Sequence, residues 1–110
     1  MVEYNKLIRD RIPEIIEASG KTCEIETLSE TEYEKHLYQK LGEELEEYLS
    51  SQEVEELADL EEVLRAILDF KGISYEEFDQ IRNDKAKKRG GFKKRLCLRR
   101  LTNGRKIAVV

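Results

Sequence analysis

The sequence predicts a mainly α-helical protein built around a long helical hairpin. Two segments, Glu30 to Leu49 and Ser50 to about Phe70, carry apolar residues at the three- and four-residue spacing of amphipathic helices. A serine followed three residues later by a glutamate marks the start of each, Ser29 with Glu32 and Ser50 with Glu53, as in a capping box. Only about three residues would join the two helices, so we expect them to lie antiparallel.

Shorter elements flank this hairpin. "RIPEIIEASGK" predicts a short helix that starts near Pro13 and stops at Gly20, and a further helix is expected around Ser74 to Arg89. The alternation in "TCEIETL", the apolar centre of "FKKRLCLRRL" and the turn signal Asn103-Gly104 predict a small peripheral β-hairpin or sheet from residues near 22–28 and 92–110. We expect residues 1–110 to form a single domain.

Composition favours a soluble protein that associates with itself. Charged residues make up 40% of the chain and hydrophobic residues 39%, so one copy buries a modest core and gains by covering its apolar stripes with a partner. No stretch approaches the roughly 18 apolar residues of a membrane span, and the N-terminus lacks the pattern of a signal peptide. We therefore expect a cytoplasmic homo-oligomer without a membrane partner, with Cys23 and Cys97 as reduced thiols.

Charge is distributed unevenly along the chain. Up to Ile81 there are 23 acidic and 8 basic residues, a net −15, and from Arg82 onward there are 12 basic residues and 1 acidic residue, a net +11. This division indicates either a basic patch for nucleic acid or an acidic metal site combined with a basic anion site. Nucleic acid is the less favoured partner, because Phe92 is the one aromatic residue near the basic run and the acidic part would repel phosphates.

Ten acidic residues and no basic residue occupy Glu43–Val63, and these acids are not equivalent. Glu56 falls within the apolar stripe of the second helix, with Asp59 at its margin. Glu44 lies at the edge of the first stripe and Glu47 further round. A carboxylate on a buried face is unfavourable by several kcal/mol unless it is neutralised, paired or bound to a metal. The two stripes are formed by Leu37, Tyr38, Leu41, Leu45, Tyr48 and Leu49, and by Leu57, Leu60, Val63, Leu64, Ile67 and Leu68.

The spacing of four of these acids suggests a common site. Glu44 and Glu47 are three residues apart, as are Glu56 and Asp59, and the two pairs lie equally far from the turn of the hairpin. Four carboxylates at one level cannot all be ionised without a cation, and oxygen ligands without His or Cys select Mg²⁺ or Mn²⁺, or less readily Ca²⁺. Spacing alone leaves two interpretations open: this metal site, or a solvated acidic hairpin with Glu56 stabilised at a helix start.

The acidic motif resembles that of a known enzyme family. "EELEE" at Glu43 to Glu47, followed by "ELAD" at Glu56 to Asp59, resembles the EExxE and ExxD signature of the MazG-like nucleotide pyrophosphohydrolases, an all-α superfamily that includes phosphoribosyl-ATP pyrophosphohydrolase. "YNKLIRDRIPEIIEASGK" and "IRNDKAKKRGGF" extend the resemblance, to a small single-domain branch, over about Tyr4 to Leu101. Eight residues separate Glu47 from Glu56, fewer than in MazG itself, so that enzyme's substrate preferences are not carried over.

The resemblance implies a helical hairpin that forms a four-helix bundle in a homodimer or homotetramer. It also implies Mg²⁺-dependent hydrolysis of a nucleoside triphosphate, or phosphoribosyl-ATP, between the α- and β-phosphates. The metal ligands carried over by motif are Glu44, Glu47, Glu56 and Asp59. Glu44 or Glu47 would also be the general base that takes a proton from the attacking water.

Basic residues in the flanking segments are candidates for binding the nucleotide. Lys85 and Arg89 are one helical turn apart, Lys6 and Arg9 offer a second pair of cations for phosphate, and Asn5 could hydrogen-bond the base or sugar. A structural ion pair between Arg9 and Asp10 is an alternative for that arginine. A second hypothesis for the protein as a whole is a catalytically idle helical dimer of the same fold that acts as a nucleotide-binding or regulatory module.

Overall fold

A computed structural model of the chain describes residues 2–102, and these residues fold into helices and connecting segments without a β-strand. The helices are α1 (Ile12–Ala18), α2 (Glu30–Ser51), α3 (Val54–Phe70) and α4 (Tyr75–Arg89). The chain divides into two compact units, Met1–Ile73 and Ser74–Val110. The predicted all-α class is confirmed, and no helix in the described part of the chain is long and apolar enough to cross a membrane.

Helices α2 and α3 pack against each other as a hairpin. Their connection is two residues long: Gln52, in the left-handed conformation at φ 58°, and Glu53. The Gln52 N–H donates a hydrogen bond to the Tyr48 carbonyl at 2.7 Å, which closes the last turn of α2. At the other end, the Tyr33 and Phe70 rings meet edge to face with centroids 5.7 Å apart. Because these two rings lie equally far along the chain from the turn, they fix the antiparallel register.

The core of this hairpin is small. Leu37 on α2 and Val63 on α3 are the buried apolar side chains of the described residues, 2% and 8% exposed. The apolar stripe predicted on α2 is divided between two faces, because Leu41 and Tyr48 are half-buried while Tyr38, Leu45 and Leu49 are exposed. Packing within one chain therefore covers part of each stripe.

Serine caps start two of the helices, and one predicted cap is wrong. The Ser29 Oγ accepts a hydrogen bond from the Glu32 N–H at 3.2 Å, as predicted for the start of α2. Ser50 instead lies inside α2, which continues to Ser51. Because Gln52 then ends α2 in a left-handed conformation, Glu53 is left as the N-cap of α3, and its side chain makes no capping hydrogen bond.

The flanking helices follow the turn residues in the sequence. Pro13 lies in the first turn of α1, and Gly20, with φ 87°, follows that helix. The Ser74 Oγ accepts a hydrogen bond from the Glu77 N–H at 3.1 Å at the start of α4, which ends before Gly90 at φ 82°. Both glycines adopt backbone conformations that other residues rarely take.

The predicted peripheral β-hairpin or sheet is wrong for the residues that the structure describes. Residues 22–28 and 92–102 have no strand and no β-bridge, and the Asn103-Gly104 turn lies outside the described residues. An isolated pair of strands is marginal in water. In addition, five basic side chains crowd residues 92–101, where their mutual repulsion favours a solvated segment.

Candidate metal centre

Three carboxylates from the two helices of the hairpin meet at one level. Glu44 of α2 and Glu56 and Asp59 of α3 each place a carboxylate oxygen within 4.8 Å of the other two. Glu44 and Asp59 lie equally far from the turn, and Glu56 precedes Asp59 by one helical turn on the same side of α3. The antiparallel packing of α2 on α3 thus assembles a group of oxygen atoms of the type that binds Mg²⁺ or Mn²⁺.

Glu44 is the most enclosed member of this group. The residue is 7% exposed, and among the described residues it is the one buried charged side chain. Its Oε1 atom lies 3.5 Å from the Lys40 ammonium, one turn earlier on α2. Its Oε2 atom is buried and has no hydrogen-bond partner. A buried oxygen without a partner is unfavourable by about 1–3 kcal/mol, so this position calls for a ligand that the carboxylate can bind.

The electrostatic environment of the cluster favours neutralisation of its carboxylates, by protons or by a bound cation. Burial raises the pKa of Glu44 above its ordinary value of 4.5; the nearby charge of Glu47 raises it further, the Lys40 ammonium lowers it, and Asp59 raises it again. Partial burial also raises the pKa of Glu56, with added contributions from Glu47, Asp59 and Glu44. Crowded carboxylates hold protons more tightly because each ionisation adds a like charge, and a bound cation removes the same repulsion.

Glu47 borders the cluster. Its side chain is exposed, and its carboxyl group raises the pKa of the nearby Glu56. The two residues also line an open concavity of about 460 Å³ on the first unit. The remaining residues that line the concavity are Lys6, Glu43, Glu46, Ser50 and Ser51. Glu47 is thus not one of the three clustered carboxylates, and it lines the concavity together with Glu56.

Arg9 is bound to one of the predicted metal ligands. Its Nη2 atom donates a hydrogen bond to the Asp59 Oδ1 at 2.6 Å, and the two side chains are 55% and 40% exposed. The alternative partner considered for Arg9 from the sequence was Asp10, but the described contact is with an acid fifty residues away. This ion pair brings the segment before α1 to the edge of the carboxylate cluster.

The other residues predicted to bind substrate lie in two regions. Lys6 lines the acidic concavity, and Asn5 beside it is exposed, with a left-handed backbone at φ 48°. Lys85 and Arg89 belong to α4, in the second unit, and both side chains are exposed. Their role in binding phosphate stays a prediction.

Two features of the site were missed or misjudged from the sequence. Lys40 contacts both Glu43 and Glu44, at 3.6 and 3.5 Å, and its position three and four residues before them was the signal that could have identified it. The sequence also indicated Glu56 as the acid on a buried face, but Glu56 is half-buried and Glu44 is the buried one. The face of α2 that packs against α3 contains Leu37, Leu41 and Glu44. Glu44, predicted at the edge of the apolar stripe, therefore belongs to the buried face of the helix.

Comparisons with known proteins give a partial match. A protein of Mycolicibacterium smegmatis (strain ATCC 700084 / mc(2)155), described as uncharacterized, is 57% identical over 42 residues. The matched segment is 38% of this chain and 43% of that relative, so it spans less than half of either protein. No protein-family model matches the chain, and no solved structure matches it.

Proposed function

We propose that the protein is a Mg²⁺-dependent nucleotide pyrophosphohydrolase, which cleaves a nucleoside triphosphate or phosphoribosyl-ATP between the α- and β-phosphates. The observation that carries the proposal is the cluster of Glu44, Glu56 and Asp59, in which the buried Glu44 Oε2 has no partner. The resemblance of the two acidic motifs to those of the MazG-like enzymes supports the same function.

The chain supplies a role for each acid. Glu44, Glu56 and Asp59 would hold the cation, Mg²⁺ or Mn²⁺, and Glu47 would either complete the ligand set or act as the general base. The bound cation would neutralise phosphate charge and orient the attacking water. Glu47 suits the role of base because its carboxyl group is exposed beside the cluster, where it can take a proton from water and release it to solvent.

Basic side chains would bind the phosphates that the cation leaves uncovered. Lys6 lines the same concavity as Glu47 and Glu56, so an ammonium group is present where a polyphosphate would enter. Arg9 contacts the cluster at Asp59. A guanidinium group binds phosphate oxygens in pairs, which makes Arg9 the more directional of the two cations.

A homo-oligomer fits the apolar surface of the hairpin. Tyr38, Leu45 and Leu49 on α2 and Val54 and Leu57 on α3 are all exposed in the single chain. Pairing two hairpins would cover these side chains in a four-helix bundle, as a homodimer or as half of a homotetramer. Sedimentation equilibrium of the wild type and of Leu45→Glu tests this: we expect a dimer or larger for the former and dissociation for the latter.

Pyrophosphate release from a panel of nucleotides, with and without Mg²⁺, tests the enzymatic proposal. We expect turnover that requires the metal and is lost in Glu44→Gln and Asp59→Asn. The matched control is Glu62→Gln, which removes an exposed acid of α3 outside the cluster and leaves turnover unchanged. Turnover without metal, or undiminished turnover in the folded cluster variants, would contradict the proposed site. Cytoplasmic location, where nucleotides and Mg²⁺ are both present, is part of the same proposal.

A catalytically idle module, with nucleotide binding or regulation as its function, is the second candidate. The Arg9–Asp59 ion pair at 2.6 Å favours it, because the guanidinium occupies an oxygen that the enzyme would need for its metal. Tight nucleotide binding without turnover of any substrate in the panel would decide for this module.

A further inference from the structure

We propose that Arg9 and a divalent cation compete for Asp59, so that binding of the metal releases Arg9 to bind the phosphates of the substrate. This inference rests on the proposed function and adds to it an order of binding, in which the metal precedes the nucleotide.

The charges of the cluster indicate competition. The carboxylates of Glu44, Glu56 and Asp59 carry three formal negative charges, and the cations in contact with them are Arg9 and Lys40. The Arg9 guanidinium already binds the Asp59 Oδ1 at 2.6 Å, so a divalent cation that takes this oxygen as a ligand has to displace it. Repulsion between the metal and the adjacent guanidinium also favours release of Arg9 from Asp59.

Arg9 is the cation that can leave. Its ion pair with Asp59 joins two side chains that are 55% and 40% exposed, and exposed pairs of this kind contribute little to stability. Lys40 is instead only 23% exposed and is held beside Glu43 and Glu44 by their spacing on α2. Solvent can therefore replace the protein contact of Arg9 more readily than that of Lys40.

Arg9 lies just before α1, in a segment without regular structure. The Arg9 carbonyl accepts a hydrogen bond from the Ile12 N–H at 3.1 Å, at the start of α1. Residues 2–9 form no helix or strand. A guanidinium released from Asp59 would be free to bind the oxygen atoms of a metal-bound polyphosphate, because guanidinium groups make paired hydrogen bonds with phosphate.

Metal affinity measured by calorimetry tests the competition without requiring turnover. We compare Mn²⁺ binding by the wild type, Arg9→Gln and Arg11→Gln at one ionic strength. Arg11→Gln is the matched control, since it removes the same charge two residues away, where the guanidinium pairs with Glu14 on α1. We expect Arg9→Gln to bind Mn²⁺ about two- to fivefold more tightly than the wild type, the range that an exposed ion pair contributes, and Arg11→Gln to match the wild type.

A spectroscopic measurement follows Arg9 directly. In ¹⁵N-labelled wild type, saturating Mg²⁺ should move the Arg9 Nε–H signal to the position that it has in Asp59→Asn, and leave the Arg11 signal in place. With Mg²⁺ in excess, a nonhydrolysable α,β-methylene triphosphate should then bind more weakly to Arg9→Gln than to Arg11→Gln.

The outcomes separate this inference from the function on which it rests. If Arg9→Gln binds Mn²⁺ no more tightly than the wild type does, the competition is refuted while the metal site stands. Weaker binding by Arg9→Gln would show instead that Arg9 positions Asp59 for the metal. If the triphosphate binds both arginine variants equally, the transfer of Arg9 to phosphate is refuted. If the wild type, Arg9→Gln and Arg11→Gln all fail to bind the metal, both the competition and the proposed function are refuted.

Discussion

Replacing Glu44 with glutamine should stabilise the protein without metal and destabilise it, relative to the wild type, with metal. The side chain is buried between α2 and α3, its Oε2 has no hydrogen-bond partner, and it shares a small volume with the oxygens of Glu56 and Asp59. Glutamine keeps the shape, removes one negative charge and supplies an N–H₂ group that can donate to a neighbouring carboxylate.

The magnitude follows from the contacts that change. Removing the unpartnered charged oxygen relieves a penalty of about 1–3 kcal/mol. Loss of the contact between Glu44 and Lys40, which are one turn apart on α2, removes roughly 0.3–0.5 kcal/mol. We therefore expect the free energy of unfolding near neutral pH to rise by about 1–2 kcal/mol. For a domain of this size, each 1 kcal/mol corresponds to about 4–8 °C in Tm.

The pH dependence of this gain has a definite sign. The pKa of Glu44 is raised in the folded protein, by burial first and then by Glu47, so the folded state holds the proton more tightly than the unfolded state does. Protonation of Glu44 therefore stabilises the folded wild type, and this stabilisation is fully present below the ordinary pKa of 4.5. It is lost as pH rises through the raised pKa of the folded protein. The advantage of Glu44→Gln should accordingly be greatest near neutral pH and disappear below about pH 4.5.

Metal reverses the order of the two proteins. At a metal concentration about a hundred times its Kd, binding stabilises the wild type by about 2.7 kcal/mol. This gain exceeds the advantage of about 1–2 kcal/mol that the variant has without metal, and the variant, which has lost the buried ligand, gains less from the metal. Urea denaturation at neutral and acidic pH, with and without Mg²⁺, measures both effects, and Glu62→Gln is the control for removing an acid from the surface. If Glu44→Gln is less stable than the wild type without metal, the reasoning that the Glu44 carboxylate destabilises the folded protein is refuted.

Three further predictions concern the core, the caps and proton release. Leu37→Ala should lower the free energy of unfolding by about 2–4 kcal/mol in urea denaturation, because the side chain is 2% exposed; a loss below 1 kcal/mol would contradict its place in the core. Ser29→Ala should lower the free energy of unfolding by about 1 kcal/mol, because it removes the cap of α2. Ser50→Ala, inside that helix, should change the free energy of unfolding by less than about 0.5 kcal/mol. Equal losses in the two variants would contradict the boundary of α2. Mg²⁺ affinity should fall as pH is lowered from 7 to 5, because the raised pKa values of Glu44 and Glu56 make protons competitors of the metal. Calorimetry in buffers of different ionisation enthalpy measures the protons released on binding. An affinity independent of pH would contradict this prediction.

Local sequence patterns predicted the helices well. Apolar periodicity and the Ser29 cap indicated α2, and the turn signal at Gly20 indicated where α1 ends. The spacing of the acids predicted four carboxylates at one level, because a short connection leaves two packed helices few other registers. The structure brings Glu44, Glu56 and Asp59 together and leaves Glu47 outside that group. These features depend on residues that are close in sequence or on a turn that is short.

Features that depend on contacts between distant residues could not be predicted from sequence patterns. The apolar stripe of α2 is wider than the face that one neighbouring helix covers, so periodicity could not tell that Glu44 would be covered and Leu45 left exposed. The contact between Arg9 and Asp59 joins residues fifty positions apart through a segment without regular structure, for which no spacing rule exists. The strand prediction for residues 22–28 relied on alternation, which does not by itself supply a pairing partner.

The small core of the hairpin has a consequence for the lifetime of the protein in a cell. With Leu37 and Val63 as its buried apolar side chains and a carboxylate beside them, the hairpin has little stability in reserve. Ligands and partner subunits that bind the folded form lower the fraction of unfolded chains exposed to proteases. The abundance of the protein should therefore follow the supply of whatever binds it, so that chains lacking ligand are degraded first.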